Sequence, residues 1–184
     1  DHFSDSTSNF AKSFAGLTIK SLNAISMVVA RSGIGIYKNF GDTITGSKRP
    51  MPKVYAKTLI NDTVADYDFS TWKPDVVVVG LGTNDLSENN YIDEKFRVSY
   101  AEFIKSIRKR YPVAHIVAVN SPMLHYEQAG ELQIAISNTL NAMTSGGDTR
   151  VHYFQFQEIT DDSQYGADWW ARKGYGWENI LLYY

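Results

Sequence analysis

Residues 75–81 read Asp-Val-Val-Val-Val-Gly-Leu and run straight into Gly82. A strand with one wet face alternates polar and apolar side chains. Four consecutive valines do not, so this segment belongs in the middle of a sheet covered on both sides. Val78→Asp is then expected to prevent folding, because it buries an unpaired charge; Trp72 is expected in the same core. Sheets of this kind are parallel and need crossover helices, which the sequence supplies. Phe96, Tyr100, Phe103, Ile104 and Ile107 recur at helical spacing, with Asp93 as a cap, and that helix should end near Tyr111-Pro112. A strand is predicted over residues 115–120, a helix over 127–143 closed by Gly146-Gly147, and a further strand over 151–156. Upstream, residues 25–31 form a β-branched run ending at Ser32 and Gly33. A helix is predicted before it over 8–23, with Phe10, Phe14, Leu17 and Leu22 on one face and Ser6, Thr7 or Ser8 as cap. Residues 40–53 read as irregular and 54–59 as a short helix. Strand and helix alternate, which implies an α/β fold with a doubly wound, mostly parallel sheet and a ligand crevice beyond the carboxyl ends of its strands.

The chain has 184 residues, 43% of them hydrophobic, with 13 glycines and 5 prolines, which suits one globular domain over 1–184. Eighteen basic against twenty acidic residues leave a charge of −2, without the basic excess that nucleic acid requires. The longest apolar run, 76–81, is far short of the roughly 20 residues that cross a bilayer. With no cysteine, disulfides, thiolate metal sites and a cysteine nucleophile are excluded. Neither GxxxxGK[ST] nor GxGxxG is present, so no phosphate-bearing cofactor is indicated. Residues 1–8 have neither the basic nor the apolar region of a signal peptide.

Two loops carry the chemistry. Gly82-Thr83-Asn84-Asp85 follows the valine strand, where a glycine lets the chain turn, Asn84 can point an amide N–H into the crevice, and Asp85 can brace the loop by capping backbone amides. Ser32-Gly33-Ile34-Gly35 occupies the analogous place after the preceding strand, and its backbone N–H groups can face an anion. Each tetrapeptide alone also fits a plain turn. Together they predict that Gly33 and Asn84 share one cleft. His115 and His152 fall in predicted strands and read as structural, His2 as a frayed terminus, and His125, after Ser121-Pro122-Met123-Leu124, as the best placed of the four for catalysis. No histidines have metal-ligand spacing. Arg108-Lys109-Arg110 reads as a solvated helix end.

Ser-Gly after one strand and Gly-x-Asn-Asp after the next resemble two sequence blocks of the SGNH or GDSL hydrolases. The stretches FSDSTSNF, SGIGIYKNF, MPKVYAKTL, WKPDVVVVGLGTND, YPVAHI, SPML and VHYFQF resemble the catalytic domain of carbohydrate esterase family 2, whose members are acetyl esterases of plant polysaccharides such as xylan and glucomannan. The resemblance runs from about Phe3 to Asp168. It implies a three-layer α/β/α SGNH-hydrolase (flavodoxin-like) fold, oxyanion donors at Gly33 and Asn84, and a serine–histidine mechanism without metal or cofactor. By the same resemblance Asp168 would orient the base, Trp169 and Trp170 would meet the sugar, the substrate would be an acetylated carbohydrate, and the protein would be secreted or at the cell surface.

Two departures from the family pattern shape the expectations. Its first block, Gly-Asp-Ser, should precede the matched text. Here only Ser4-Asp5-Ser6-Thr7 imitates it, which makes Ser6 a candidate nucleophile and a helix cap by turns. A sheet lacking that first, central strand should be stable only with an additional segment, from upstream or from another chain, in its place. The family's Asp-Trp-His reads Asp168-Trp169-Trp170 in this chain, and an indole has no basic nitrogen with which to take a serine proton. Residues 171–184 do not resemble the family's terminal helix. The 184 residues alone are therefore expected to hydrolyse aryl acetates negligibly. A catalytically silent carbohydrate-binding relative is the second reading, and a flavodoxin-like regulatory or nucleotide-binding domain a third.

Overall fold

The computed structural model describes residues 10–61, 64–88, 90–156 and 180–183. The valine run forms strand β2 (Val76–Val79) of a five-stranded sheet that also contains β1 (Met27–Ala30), β3 (His115–Val119), β4 (Val151–Phe154) and β5 (Ile180–Tyr183), in the order β1-β5-β2-β3-β4. Strands β2, β3 and β4 are parallel. Strand β5 runs antiparallel to both its neighbours, with Leu182 opposite Val28 on one side and Val78 on the other.

This placement corrects the expectation that the position between β1 and β2 would need a segment from outside the chain: the chain's own residues 180–183 fill it. The facing edges of β1 and β2 each offer a row of N–H and C=O groups, and an antiparallel ladder satisfies such a row at least as well as a parallel one. Ile-Leu-Leu-Tyr is a good strand-forming run, a signal that the sequence reading of residues 171–184 did not use.

Helix α4 (Asp93–Arg110) and helix α5 (Tyr126–Ser145) cover one face of the sheet. Phe96, Ile104, Leu132 and Ile136 from these helices share a core with Val77, Val79, Ile116 and Ala118. On the other face helix α1 (Phe14–Leu22) packs Ala15 with Phe14, Ile19, Ala30 and Val78. The valine strand is thus covered on both sides, but unequally: Val77 and Val79 are fully buried, whereas Val76 and Val78 are half-buried. Trp72 packs against the main core and is half-buried.

Three local expectations shift. The helix predicted over 8–23 is interrupted: a 3-10 turn (Phe10–Lys12) precedes α1, and Ser13 is the cap. Its hydroxyl donates to the Phe10 carbonyl at 2.7 Å and accepts the Gly16 N–H at 3.1 Å, which lets the chain restart its turn and leaves Leu17 and Leu22 exposed. The short helix predicted over 54–59 is instead α2 (Met51–Val54), because Pro50 and Pro52 fix the backbone of a first helical turn. Ile92, not Asp93, is the cap of α4, and Asp93 and Glu94 lie in its first turn, where the helix dipole favours negative charge.

Candidate active site

Strands β1 and β2 point their carboxyl ends the same way, and each releases one of the two glycine loops there. After β2, Gly82 turns the chain with φ +115, a backbone conformation that side chains resist, and a Cβ at that position would stand 2.7 Å from Leu132 Cδ1. The turn delivers α3 (Thr83–Leu86), whose Asp85 is completely buried. Its carboxylate accepts three backbone N–H bonds from the other loop: Ile36 at 2.9 Å, Tyr37 at 2.8 Å and Lys38 at 2.9 Å. Asp85 does brace backbone amides, as its type predicted, and those amides lie about fifty residues away in sequence. Gly35 makes this approach feasible, since a Cβ there would sit 2.0 Å from the Lys38 carbonyl oxygen and 2.7 Å from Asp85 Oδ2.

A second layer of charge holds the same loops. The Lys38 side chain is fully buried and its Nζ lies 2.8 Å from Glu88 Oε2, which also accepts the Gly41 N–H at 2.8 Å. Burial pushes the Asp85 carboxyl up to about 6, against the opposing pull of the Lys38, Tyr37 and Ile36 N–H groups and the Lys38 charge. Glu88, held by the Lys38 ammonium and the Gly41 N–H, stays below its ordinary value.

Asn84 Nδ2 donates to the Ile34 carbonyl at 2.9 Å, which ties the side chain to the residue next to Gly33. A carboxamide has two N–H bonds, so this contact uses one and fixes the direction of the other. The Gly33 carbonyl accepts the Phe40 N–H at 2.8 Å, closing the loop on itself, and Asn39 Oδ1 accepts the Gly35 N–H at 3.0 Å. The structure therefore joins the two predicted loops by direct bonds from Asn84 and Asp85.

The remaining predicted residues are distributed otherwise. Ser6, Asp168, Trp169 and Trp170 lie outside the described residues, as does His2. His125 is exposed at the start of α5, beside Tyr126, whose φ of +48 turns an almost fully exposed ring outward. That ring borders a cavity of about 210 Å³ beyond the ends of β3 and β4, which Asn120, Ser121, Gln133, Tyr153 and Gln155 also line. His115 and His152 are brought together on the sheet surface, at the amino end of β3 and so far along the sheet from these loops. Among the described residues no three His, Cys, Asp or Glu side chains converge to hold a metal ion. Sequence reasoning missed Lys38 and Glu88, because a lysine written between tyrosine and asparagine carries no mark of burial.

Residues 4–179 match the model of the GDSL-like lipase/acylhydrolase family. The chain is 33% identical to a cellulase/esterase, CelE, of Acetivibrio thermocellus over 91% of its own length and 20% of that protein. It is 27% identical to an acetylxylan esterase/glucomannan deacetylase of Cellvibrio japonicus, over 83% of the chain and 43% of the relative. A family two carbohydrate esterase from Clostridium thermocellum, solved with cellohexaose, superimposes with a TM-score of 0.78 at 33% identity, over 88% of this chain and 48% of that one. The chain thus spans less than half the length of each of these relatives.

Proposed function

The chain belongs to the GDSL-like lipase/acylhydrolase family, and from that premise we propose that it is the SGNH-type body of a carbohydrate O-acetyl esterase that removes acetyl groups from plant polysaccharide such as xylan or glucomannan. The observation that carries this reading is the Asn84 bond to Ile34, which sets the asparagine amide beside the Ser32-Gly33 loop. In the mechanism a serine attacks the acetyl carbonyl and a histidine takes its proton. The Gly33 N–H and the second N–H of Asn84 receive the negative oxygen of the tetrahedral intermediate, and Asp168 orients the base. Ser6 is the candidate nucleophile within this chain, and Trp169 and Trp170 offer ring faces to sugar. The substrates of such an enzyme lie outside the cell, so secretion or display at the surface accompanies the proposal.

Trp170 stands in the place of the base in this reading, and that favours a second one. A relative with an indole there and an intact cleft would bind polysaccharide without cleaving it. The cellohexaose held by the Clostridium thermocellum esterase, a glucan without acetyl groups, supports such a role. One set of assays separates the two. The chain and its Trp170→His variant are tested on 4-nitrophenyl acetate and acetylated xylan, each with and without Asn84→Ala. An esterase site predicts little turnover in the parent, a gain with Trp170→His, and loss of about 10²–10³-fold of that gain with Asn84→Ala. Turnover indifferent to Asn84 would overturn the oxyanion assignment. No gain from Trp170→His, with cellohexaose bound in a calorimeter, would establish the binding protein instead.

A further inference from the structure

His115 opens β3 and His152 is the second residue of β4. Val117 lies opposite His152 in the ladder, so His115, Val117 and His152 share one face of the sheet, the one turned away from Ile116 and Ala118. Both imidazoles are exposed. Nδ1 of His115 lies 2.8 Å from Nε2 of His152, with ring centroids 5.0 Å apart and planes 27° apart. Centroids so much farther apart than the nitrogens mean that the rings meet end to end, each nitrogen directed at the other. A neutral imidazole has one N–H and one bare nitrogen, so the contact holds a single proton between two nitrogens.

Turned away from the line that joins them, the same two nitrogens can converge on one metal ion. Bonds of about 2.0–2.1 Å to one ion at a right angle separate two imidazole nitrogens by about 2.9 Å, close to the spacing found. Right angles are the preference of Cu²⁺ and Ni²⁺, which also stand highest in affinity for imidazole among the divalent first-row ions. The neighbouring cations are engaged elsewhere: Arg150 donates to the Val113 carbonyl at 2.9 Å, and Arg108 pairs with Asp148 at 2.7 Å. We propose that His115 and His152 form a bidentate site for Cu²⁺ or Ni²⁺ on the sheet surface, with water completing the coordination. The ring that donates in the free pair shifts its proton to its far nitrogen, which leaves both near nitrogens bare for the ion. The site joins β3 to β4 at the end of the sheet remote from the glycine loops and is independent of the acetyl esterase reading.

The test is a calorimetric titration of Cu²⁺ at pH 7.5 into the chain carrying His2→Ala and His125→Ala, which removes the other imidazoles. One equivalent should bind. Adding either His115→Ala or His152→Ala should lower the affinity at least tenfold, and both together should abolish binding. The electron paramagnetic resonance spectrum of the Cu²⁺ form should show two equatorial nitrogens, a readout that does not depend on any further variant. Binding unchanged by either alanine, a spectrum with no coordinated nitrogen, or no binding up to millimolar Cu²⁺ would overturn the proposal.

Discussion

Asp85 is the residue on which both loops depend. Replacing it with asparagine keeps the shape but substitutes an NH₂ for one acceptor oxygen, which then faces backbone N–H donors from residues 36–38. Buried donors left unpaired cost about 1–3 kcal/mol each. Oδ2 accepts only the Ile36 N–H, so Asp85→Asn leaves at least one donor unpaired and should lower stability by about 1–3 kcal/mol in urea titrations; no measurable loss would mean that the loops hold without it. The carboxyl also makes stability depend on pH in an unusual direction. Its folded value near 6 exceeds the ordinary 3.8, so between about pH 4 and pH 6 the folded chain keeps a proton that the unfolded chain has released. Stability from this group falls as pH rises through that window, by about 3 kcal/mol in total, and is level above it. The midpoint of the Asp85 carboxyl carbon resonance near 6 is the direct check. Tyr100 gives a contrasting case at the same scale. Its hydroxyl is buried without a hydrogen-bond partner in the described structure, and burial raises its ionisation far above the ordinary range. Tyr100→Phe removes a desolvated polar atom and no bond, so it should be neutral or stabilising by about 1 kcal/mol, and a loss of 2 kcal/mol would reveal a partner.

At the scale of elements, the valine strand tells its two faces apart. Val79 is sealed against the helices of one side, while Val78 is half-buried beneath α1. Val79→Ala should cost about 2 kcal/mol from lost burial and the cavity left behind, and Val78→Ala clearly less. The unbroken valine run in the sequence could say that both faces are covered; it could not say that the nine-residue α1 packs less tightly than two long helices. Strand β5 carries the stronger test, because among the described strands it alone joins β1 to the rest of the sheet. Proline cannot donate to a ladder, so Leu182→Pro breaks a central strand with partners on both sides. Amide exchange at Met27–Ala30 should then accelerate at least a hundredfold, while β3 and β4 keep their protection. Unchanged exchange in β1 would show that another segment pairs with it in solution.

Across the whole molecule, what could be read in advance follows the range of the interaction. Alternating strands and helices, the turn at Gly82 and the brace at Asp85 were legible because each rests on residues close in sequence or on a residue's own chemistry. The seat of β5, the burial of Lys38 and the pairing of Glu88 were not, since each depends on groups that only the tertiary fold brings together. Arg108 belongs to the second kind, for Arg108-Lys109-Arg110 reads as a solvated run. At the end of the sheet opposite the glycine loops, its guanidinium grips both oxygens of Asp148, at 2.7 and 3.2 Å, and donates to the carbonyls of Tyr111, Ala114 and Arg150. One side chain thereby ties the end of α4, the entry to β3 and the loop between α5 and β4. Partial burial works to raise the Asp148 carboxyl, but the bonds from Arg108 and the Arg150 N–H outweigh it and hold the group below its ordinary value. Its contribution is thus present above about pH 4 and lost as pH falls further. Lysine keeps the charge but cannot supply the planar fork. Arg108→Lys should cost about 2–4 kcal/mol at pH 7, given about 1.5–3 kcal/mol for hydrogen bonds to charged groups, and the difference from the parent should shrink as pH drops toward 3. Because the clamp lies at the far end of the sheet, ligand binding at the glycine loops should not change. A variant as stable as the parent would return Arg108 to the solvated helix end that its sequence suggests.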